Sequence, residues 1–168
     1  MELIARNISV RFGAAQILQN VDFTAKAGSF SAIIGPNGSG KTTLLRAMTG
    51  EIGHSGRVSI NGQDTRETDA DTLARQRAVL AQSTQLAFPF TVLEVVRLGL
   101  TAGVATGDPT DTADLPFKAL ARVGLEGVEG RFYAELSGGE KQRVQLARVL
   151  VQIWLPVLNA QPRWLFLD

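Results

Sequence analysis

Cysteine is absent from this 168-residue sequence, which excludes a disulfide framework and any thiolate metal site. An excess of one charge is absent too. Lys and Arg number 17, Asp and Glu 16, and the formal net charge is +1. No block of five or six like charges occurs. Bulk charge thus gives no footing for nucleic acid or an acidic surface, and no nucleic-acid partner is expected. Long apolar runs are also missing. The nearest, Val144 to Leu158, is broken by Gln145, Arg148, Gln152 and Pro156, so no membrane-spanning helix is expected. Met1 to Asn7 carries no apolar core of signal-peptide length. There is one histidine. His54 lies in Gly53-His54-Ser55-Gly56, where a turn residue is the simpler reading.

What is present is an ordinary globular composition, 45% hydrophobic and 20% charged, long enough for one domain with a sizeable core. One stretch organises it. Gly35-Pro36-Asn37-Gly38-Ser39-Gly40-Lys41-Thr42-Thr43 fits G-x-x-x-x-G-K-[ST] without gap or substitution, the pattern of a P-loop. Ser31–Ile34 before it reads as a short buried strand, and Thr43–Met48 after it as the first turns of a helix. Strand, glycine turn and helix is the geometry that aims backbone N–H groups at one spot, where they bind phosphate oxygens. Lys41 adds a point charge near the β- and γ-phosphates, and Thr42 offers a hydroxyl to Mg²⁺.

The flanking pattern predicts a mixed α/β chain. Leu3–Ala5, Ile8–Phe12 and Val21–Ala25 read as strands, with Ser29–Ile34 leading into the loop. Gly50 is a plausible helix end. Gly56–Gly62 reads as a strand closing in an Asn-Gly turn. Thr68–Arg75 predicts a short helix and Ala78–Gln82 a buried strand. After Leu86 the period becomes helical. Thr91 opens a helix over Val92–Gly99, Ala102–Thr112 reads as a mobile loop, and Phe117–Val123 as a helix closed by Gly124. A long helix is predicted over Gly138–Gln152, and Trp164–Leu167 reads as an apolar strand ending in Asp168. No internal repeat is visible.

Two further stretches carry chemistry. In Leu136-Ser137-Gly138-Gly139-Glu140, a hydroxyl and two glycines open the long helix. This is either a capping box of Ser137 with Glu140 or a second phosphate-binding helix start. Trp164–Asp168 is either a buried strand whose last residue begins a turn, or a strand delivering a carboxylate to Mg²⁺ opposite Thr42.

The order of P-loop, Gln82 after a short strand, Leu136–Glu140 and an apolar strand with Asp168 resembles the ATP-binding subunit of an ATP-binding-cassette (ABC) transporter. The resemblance covers nearly the whole chain. It implies a P-loop NTPase core with an N-terminal antiparallel β subdomain and a helical insert. Residues 1–168 would form a single nucleotide-binding domain. Within it, 1–85 hold the β subdomain and P-loop core, 86–135 the insert, and 136–168 the signature helix and Walker B strand. By the same resemblance Phe12 stacks on adenine, and Gly35–Thr43 bind the phosphates of ATP. Thr42, Gln82 and Asp168 serve Mg²⁺, and Leu136–Glu140 cover ATP held by a second chain. The implied assembly is a homodimer of cassettes on two membrane permease subunits, with an external solute-binding protein. It would lie peripherally on the cytoplasmic face of the inner membrane. Phe88-Pro89-Phe90-Thr91-Val92 resembles importers of iron chelates, cobalamin and haem. Ile153–Trp164 resembles the corresponding segment of haemin-importer ATPases. An iron-siderophore or cobalamin importer is the alternative cargo class.

One departure matters. In the family the water-polarising glutamate follows the position of Asp168, and a switch histidine comes later. No catalytic residue of that kind is in the sequence, and His54 cannot stand in. The chain is therefore expected to bind ATP and to hydrolyse it poorly, with a non-hydrolysing ATP-binding module as the second reading and marginal stability as a further expectation. A soluble cassette of DNA repair or translation fits less well, since those carry long coiled-coil inserts or paired cassettes. A P-loop kinase or GTPase does not explain Leu136–Glu140. Trp154 and Trp164 read as packing residues rather than a haem platform.

Overall fold

The computed structural model of the chain describes residues 1–82, 86, 88–103, 112–154 and 161–168. Strands β1 (Glu2–Phe12), β2 (Ala15–Lys26), β3 (Ser55–Ile60) and β4 (Gln63–Asp64) form an antiparallel sheet in the order β2-β1-β3-β4. Alternation along β1 buries Leu3, Ala5, Ile8 and Val10 on one face, as a half-covered sheet requires. Asn61-Gly62 turns β3 into β4 with both residues at positive φ, the backbone that a two-residue hairpin needs. Helix α1 (Lys41–Met48) packs Leu44, Leu45, Ala47 and Met48 against this sheet.

The second layer begins with α2 (Ala70–Gln76), capped by Asp69, whose carboxylate accepts the Thr72 N–H at 2.9 Å. Strand β5 (Arg77–Leu80) pairs in parallel with β6 (Trp164–Leu167). Helices α3 (Val92–Gly103), α4 (Leu115–Arg122) and α5 (Gly138–Trp154) build a separate apolar cluster. It is centred on Val92, Val95, Val96, Ala119, Leu120, Val144, Ala147 and Val151. Asn61 ties the layers together: its Oδ1 accepts the Trp164 indole N–H at 3.1 Å, and its Nδ2 donates to the Pro162 carbonyl at 2.9 Å. Trp164 thus packs against the sheet core, whereas Trp154 at the end of α5 is 38% exposed.

One expected element differs. Ser29–Ile34 is not a buried strand: it forms no ladder, Phe30 is 90% exposed and Ile34 92%, and only Ile33 packs on the core. A strand exists only through a neighbour that accepts its backbone hydrogen bonds, and among the described residues none runs beside it. The other expected elements are found with shifted ends. Residues 104–111 of the expected Ala102–Thr112 loop, and 155–160 of the segment before Trp164, lie outside the described residues. Among the described residues no helix is long and apolar enough to cross a membrane.

Packing is close where α3 crosses α5. A Cβ on Gly99 would lie 2.2 Å from the Arg148 carbonyl oxygen and 3.2 Å from Val151 Cβ. Gly99→Ala should therefore destabilise the fold by about 1–3 kcal/mol through overpacking. Gly53→Ala, which meets nothing within 4 Å, serves as the control. Urea unfolding of the two variants measures the difference.

Candidate nucleotide-binding site

The loop from Gly35 to Gly40 curls before α1 with Gly38 at φ 79° and Gly40 at φ 89°. Gly40 is confined as well as twisted, since a Cβ there would meet Leu18 Cδ2 at 2.8 Å. Only glycine satisfies both conditions. Ser39 closes the curl by donating its N–H to the Pro36 carbonyl at 3.3 Å. Residues 35–39 are exposed, and the first turn of α1 holds no acidic side chain. The positive end of the α1 dipole therefore faces an open loop. The Lys41 ammonium donates to the carbonyls of Gly35 (2.9 Å) and Pro36 (2.8 Å). The charge is thus parked on the loop's own backbone, at the place the motif assigns to phosphate.

Thr42 and Asp168 meet. The Thr42 hydroxyl donates to Asp168 Oδ1 at 2.7 Å, across 126 positions of sequence. The Asp168 N–H donates to the Leu80 carbonyl at 3.0 Å, so the same strand end carries the chain on to Gln82, whose side chain is exposed. A hydroxyl and a carboxylate are hard oxygen donors, and that set fits Mg²⁺ completed by phosphate oxygens and water. Among the described residues no cluster of three acidic, His or Cys side chains exists, so any cation here relies on its ligand for the other donors. Phe12 sits at the end of the β1–β2 hairpin with 55% of its surface exposed. It lies beyond Ile17 and Leu18, the β2 residues that touch Gly40.

Leu136 to Glu140 forms the start of α5. Leu136 is buried in the helical cluster, while Ser137, Gly138 and Gly139 are exposed. The capping box is present in full. Glu140 Oε2 accepts the Ser137 N–H at 2.8 Å and the Ser137 hydroxyl at 2.6 Å. The hydrogen bonds from the Ser137 side chain and backbone, aided by the charges of Arg131 and Arg143, hold the Glu140 carboxyl below its ordinary range. Thr91 and Glu94 make a matching box at the start of α3. Among the described residues no hydrogen bond or ion pair joins the P-loop to the start of α5, so one chain presents two separate exposed helix starts. His54 stands apart in the turn before β3, where its Nδ1 lies 3.2 Å from the Ser55 carbonyl. It is a turn residue, as its sequence context suggests.

A protein-family model described as ABC transporter matches residues 18–154. The chain belongs to the ABC transporter family. This cassette is 58% identical over 166 residues to the Hemin import ATP-binding protein HmuV of Jannaschia sp. (strain CCS1), covering 99% of this chain and 60% of that protein. It is 55% identical over 164 residues to the protein of the same name from Mesorhizobium japonicum, covering 98% and 62%. A solved ATP-binding subunit of an ABC transporter superposes with TM-score 0.80 at 27% identity, covering 90% of this chain and 62% of that one. The chain thus spans about three-fifths of the length of the curated relatives it matches.

Sequence reasoning about the cassette missed the basic side chains that lie beside the start of α5. Arg131 Nη1 lies 3.8 Å from Glu140 Oε1. The Lys141 ammonium donates to the Ala134 carbonyl at 2.9 Å and lies 5.9 Å from the centre of the Tyr133 ring. The signal available was a basic residue a few positions ahead of a capping box. The box itself has a pH signature. A carboxyl held ionised by folding contributes its full stabilisation above the ordinary glutamate value of 4.5, and loses it as pH falls through the lower folded value. Ser137→Ala should therefore lower the melting temperature at neutral pH, and the gap to the parent should close as the pH drops below 4.5. Thermal melts across that range check it.

Proposed function

We propose that this chain carries the ATP-binding machinery of the energy-coupling subunit of an importer, and that the imported cargo is haemin. The observation that carries the reading is the meeting of Thr42 with Asp168 beside an exposed P-loop. The cargo rests on relatives, more than half identical along almost the whole chain, that are named as hemin import ATP-binding proteins. ATP and Mg²⁺ are the cofactors. Gly35 to Thr43 would wrap the phosphates, with Lys41 leaving the Gly35 and Pro36 carbonyls for phosphate oxygens. Phe12 would cover the adenine. Thr42 and Asp168, with Gln82 at the same strand end, would hold Mg²⁺, which supplies charge neutralisation at the β- and γ-phosphates when bound.

The second half of the site comes from a second copy. One loop cannot surround the γ-phosphate charge. A further helix start, Ser137 to Glu140 of the facing chain, adds donors on the open side. Each charge-assisted hydrogen bond contributes about 1.5–3 kcal/mol, so closure depends on the nucleotide. Two such chains would act on a pair of permease subunits at the inner membrane, with an external solute-binding protein delivering cargo. The exposed Gln82 and Phe88, the latter edge-on to Phe90 with ring centres 6.1 Å apart, are the side chains offered to the permease.

Two variants separate the halves of the site. Lys41→Ala should weaken ATP binding by at least about tenfold, in line with loss of one charge-assisted contact. Unchanged binding of a fluorescent ATP analogue would sink the nucleotide assignment. Gly139→Asp should leave ATP binding by the unpaired chain intact and abolish ATP-driven pairing, because it sets a carboxylate against the incoming phosphates. Light scattering with and without ATP reads the second effect, and phosphate release in a single turnover reads hydrolysis.

A further inference from the structure

The segment leading into α5 touches two helix starts at once. The Arg131 carbonyl accepts the Val92 N–H of α3 at 2.9 Å, and the Glu129 carbonyl accepts the Leu93 N–H at 3.0 Å. The Arg131 side chain reaches the other start, to within 3.8 Å of Glu140 Oε1. It is 48% exposed and Glu140 26%. A pair so long and so open adds little to the stability of an isolated chain. Glu140 also has its donors already, since both Ser137 hydrogen bonds go to Oε2. Neither capping nor folding requires the guanidinium.

We propose that Arg131 is a positioning residue for the start of α5: it takes charge of the Glu140 carboxylate when the Ser137 hydroxyl turns from Glu140 to a phosphate of ATP on a second chain. This rests on the pairing proposed above. The Ser137 hydroxyl has one proton, and in the unpaired chain that proton is committed to Glu140 at 2.6 Å. Serine cannot donate to phosphate without releasing it. Glu140 then loses a short charge-assisted bond just as a polyphosphate arrives, and two like charges share an interface from which water is being removed. Three cations lie nearby. Lys141 is committed to the Ala134 carbonyl and the Tyr133 ring. Arg143, one turn along α5, acts on Glu140 only through its charge. Among the described residues Arg131 alone makes an ion pair with Glu140, and a short approach from 3.8 Å would give it a direct hydrogen bond to Oε1.

The test uses the whole chain with Arg131→Gln, Arg131→Lys, and Arg131→Gln combined with Glu140→Gln. The substitutions leave the main-chain cap on α3 in place, and equal melting temperatures verify this. ATP affinity of the dilute, unpaired chain is measured with a fluorescent analogue, and ATP-driven pairing by light scattering. Arg131→Gln should weaken pairing on the order of tenfold, the scale of one partly desolvated charge pair, with unchanged ATP affinity of the unpaired chain. Arg131→Lys should recover most of the loss. Adding Glu140→Gln should restore pairing, because an amide brings no charge against the phosphates. Parent-like pairing of Arg131→Gln, or failure of Glu140→Gln to restore it, overturns the assignment. A parent chain that binds ATP yet never pairs overturns the pairing reading, and this inference with it.

Discussion

A helical stretch with no exposed residue must be covered on several sides, and Val144 to Ile153 of α5 is in that position. Val144, Gln145, Ala147, Val149 and Val151 are buried, while Leu146, Leu150 and Ile153 are partly so. Helices α3 and α4 cover one side and β5 the other. At its far end the Gln152 amide donates to the Ala74 and Arg77 carbonyls, at 2.9 and 3.1 Å. Arg163 returns a hydrogen bond to the Gln152 carbonyl at 2.6 Å. So enclosed, the helix can neither rotate nor slide without disturbing the helical cluster to which Val144, Ala147 and Val151 belong. Its exposed residues are at the two ends: Gly138, Gly139, Gln142 and Arg143 at the start, next to the exposed Ser137, and Trp154 at the finish. The rigidity of the buried part is what gives the exposed part a defined direction.

The local motifs were legible in the sequence because their physics is local. The curl of Gly35 to Gly40, the box of Ser137 with Glu140 and the Asn61-Gly62 turn need only the residues that form them. The long-range pairs were legible only through resemblance. Nothing in the spacing of Thr42 and Asp168 says that they touch; the family's order of motifs does. Ser29–Ile34 was misread because its residues suit a strand while its state depends on a neighbour. Arg131 was overlooked for a related reason. A lone arginine in a Gly-rich segment reads as a solvated charge until the fold brings Glu140 alongside.

The two capping boxes place two helix starts under one device. Thr91 with Glu94 opens α3 and Ser137 with Glu140 opens α5, and the main chain of Arg131 closes the first while its side chain approaches the second. A shift of α3 relative to α5 is resisted at Gly99, where backbone meets backbone without a side chain between. The close approach at Gly99 thus couples the positions of α3 and α5, and with them the two helix starts.

The Lys41 ammonium, bonded to the Gly35 and Pro36 carbonyls, has a consequence for how the loop would take an anion. A small anion offering a single point of attachment must displace two hydrogen bonds to gain one partner, and it still has to shed water. A chain of phosphates could replace both carbonyls and meet the α1 amides in the same step. Self-occupancy of the lysine thus makes anion entry an exchange of partners for an ammonium that is already satisfied, and an anion with one attachment point, such as chloride, would gain least from it.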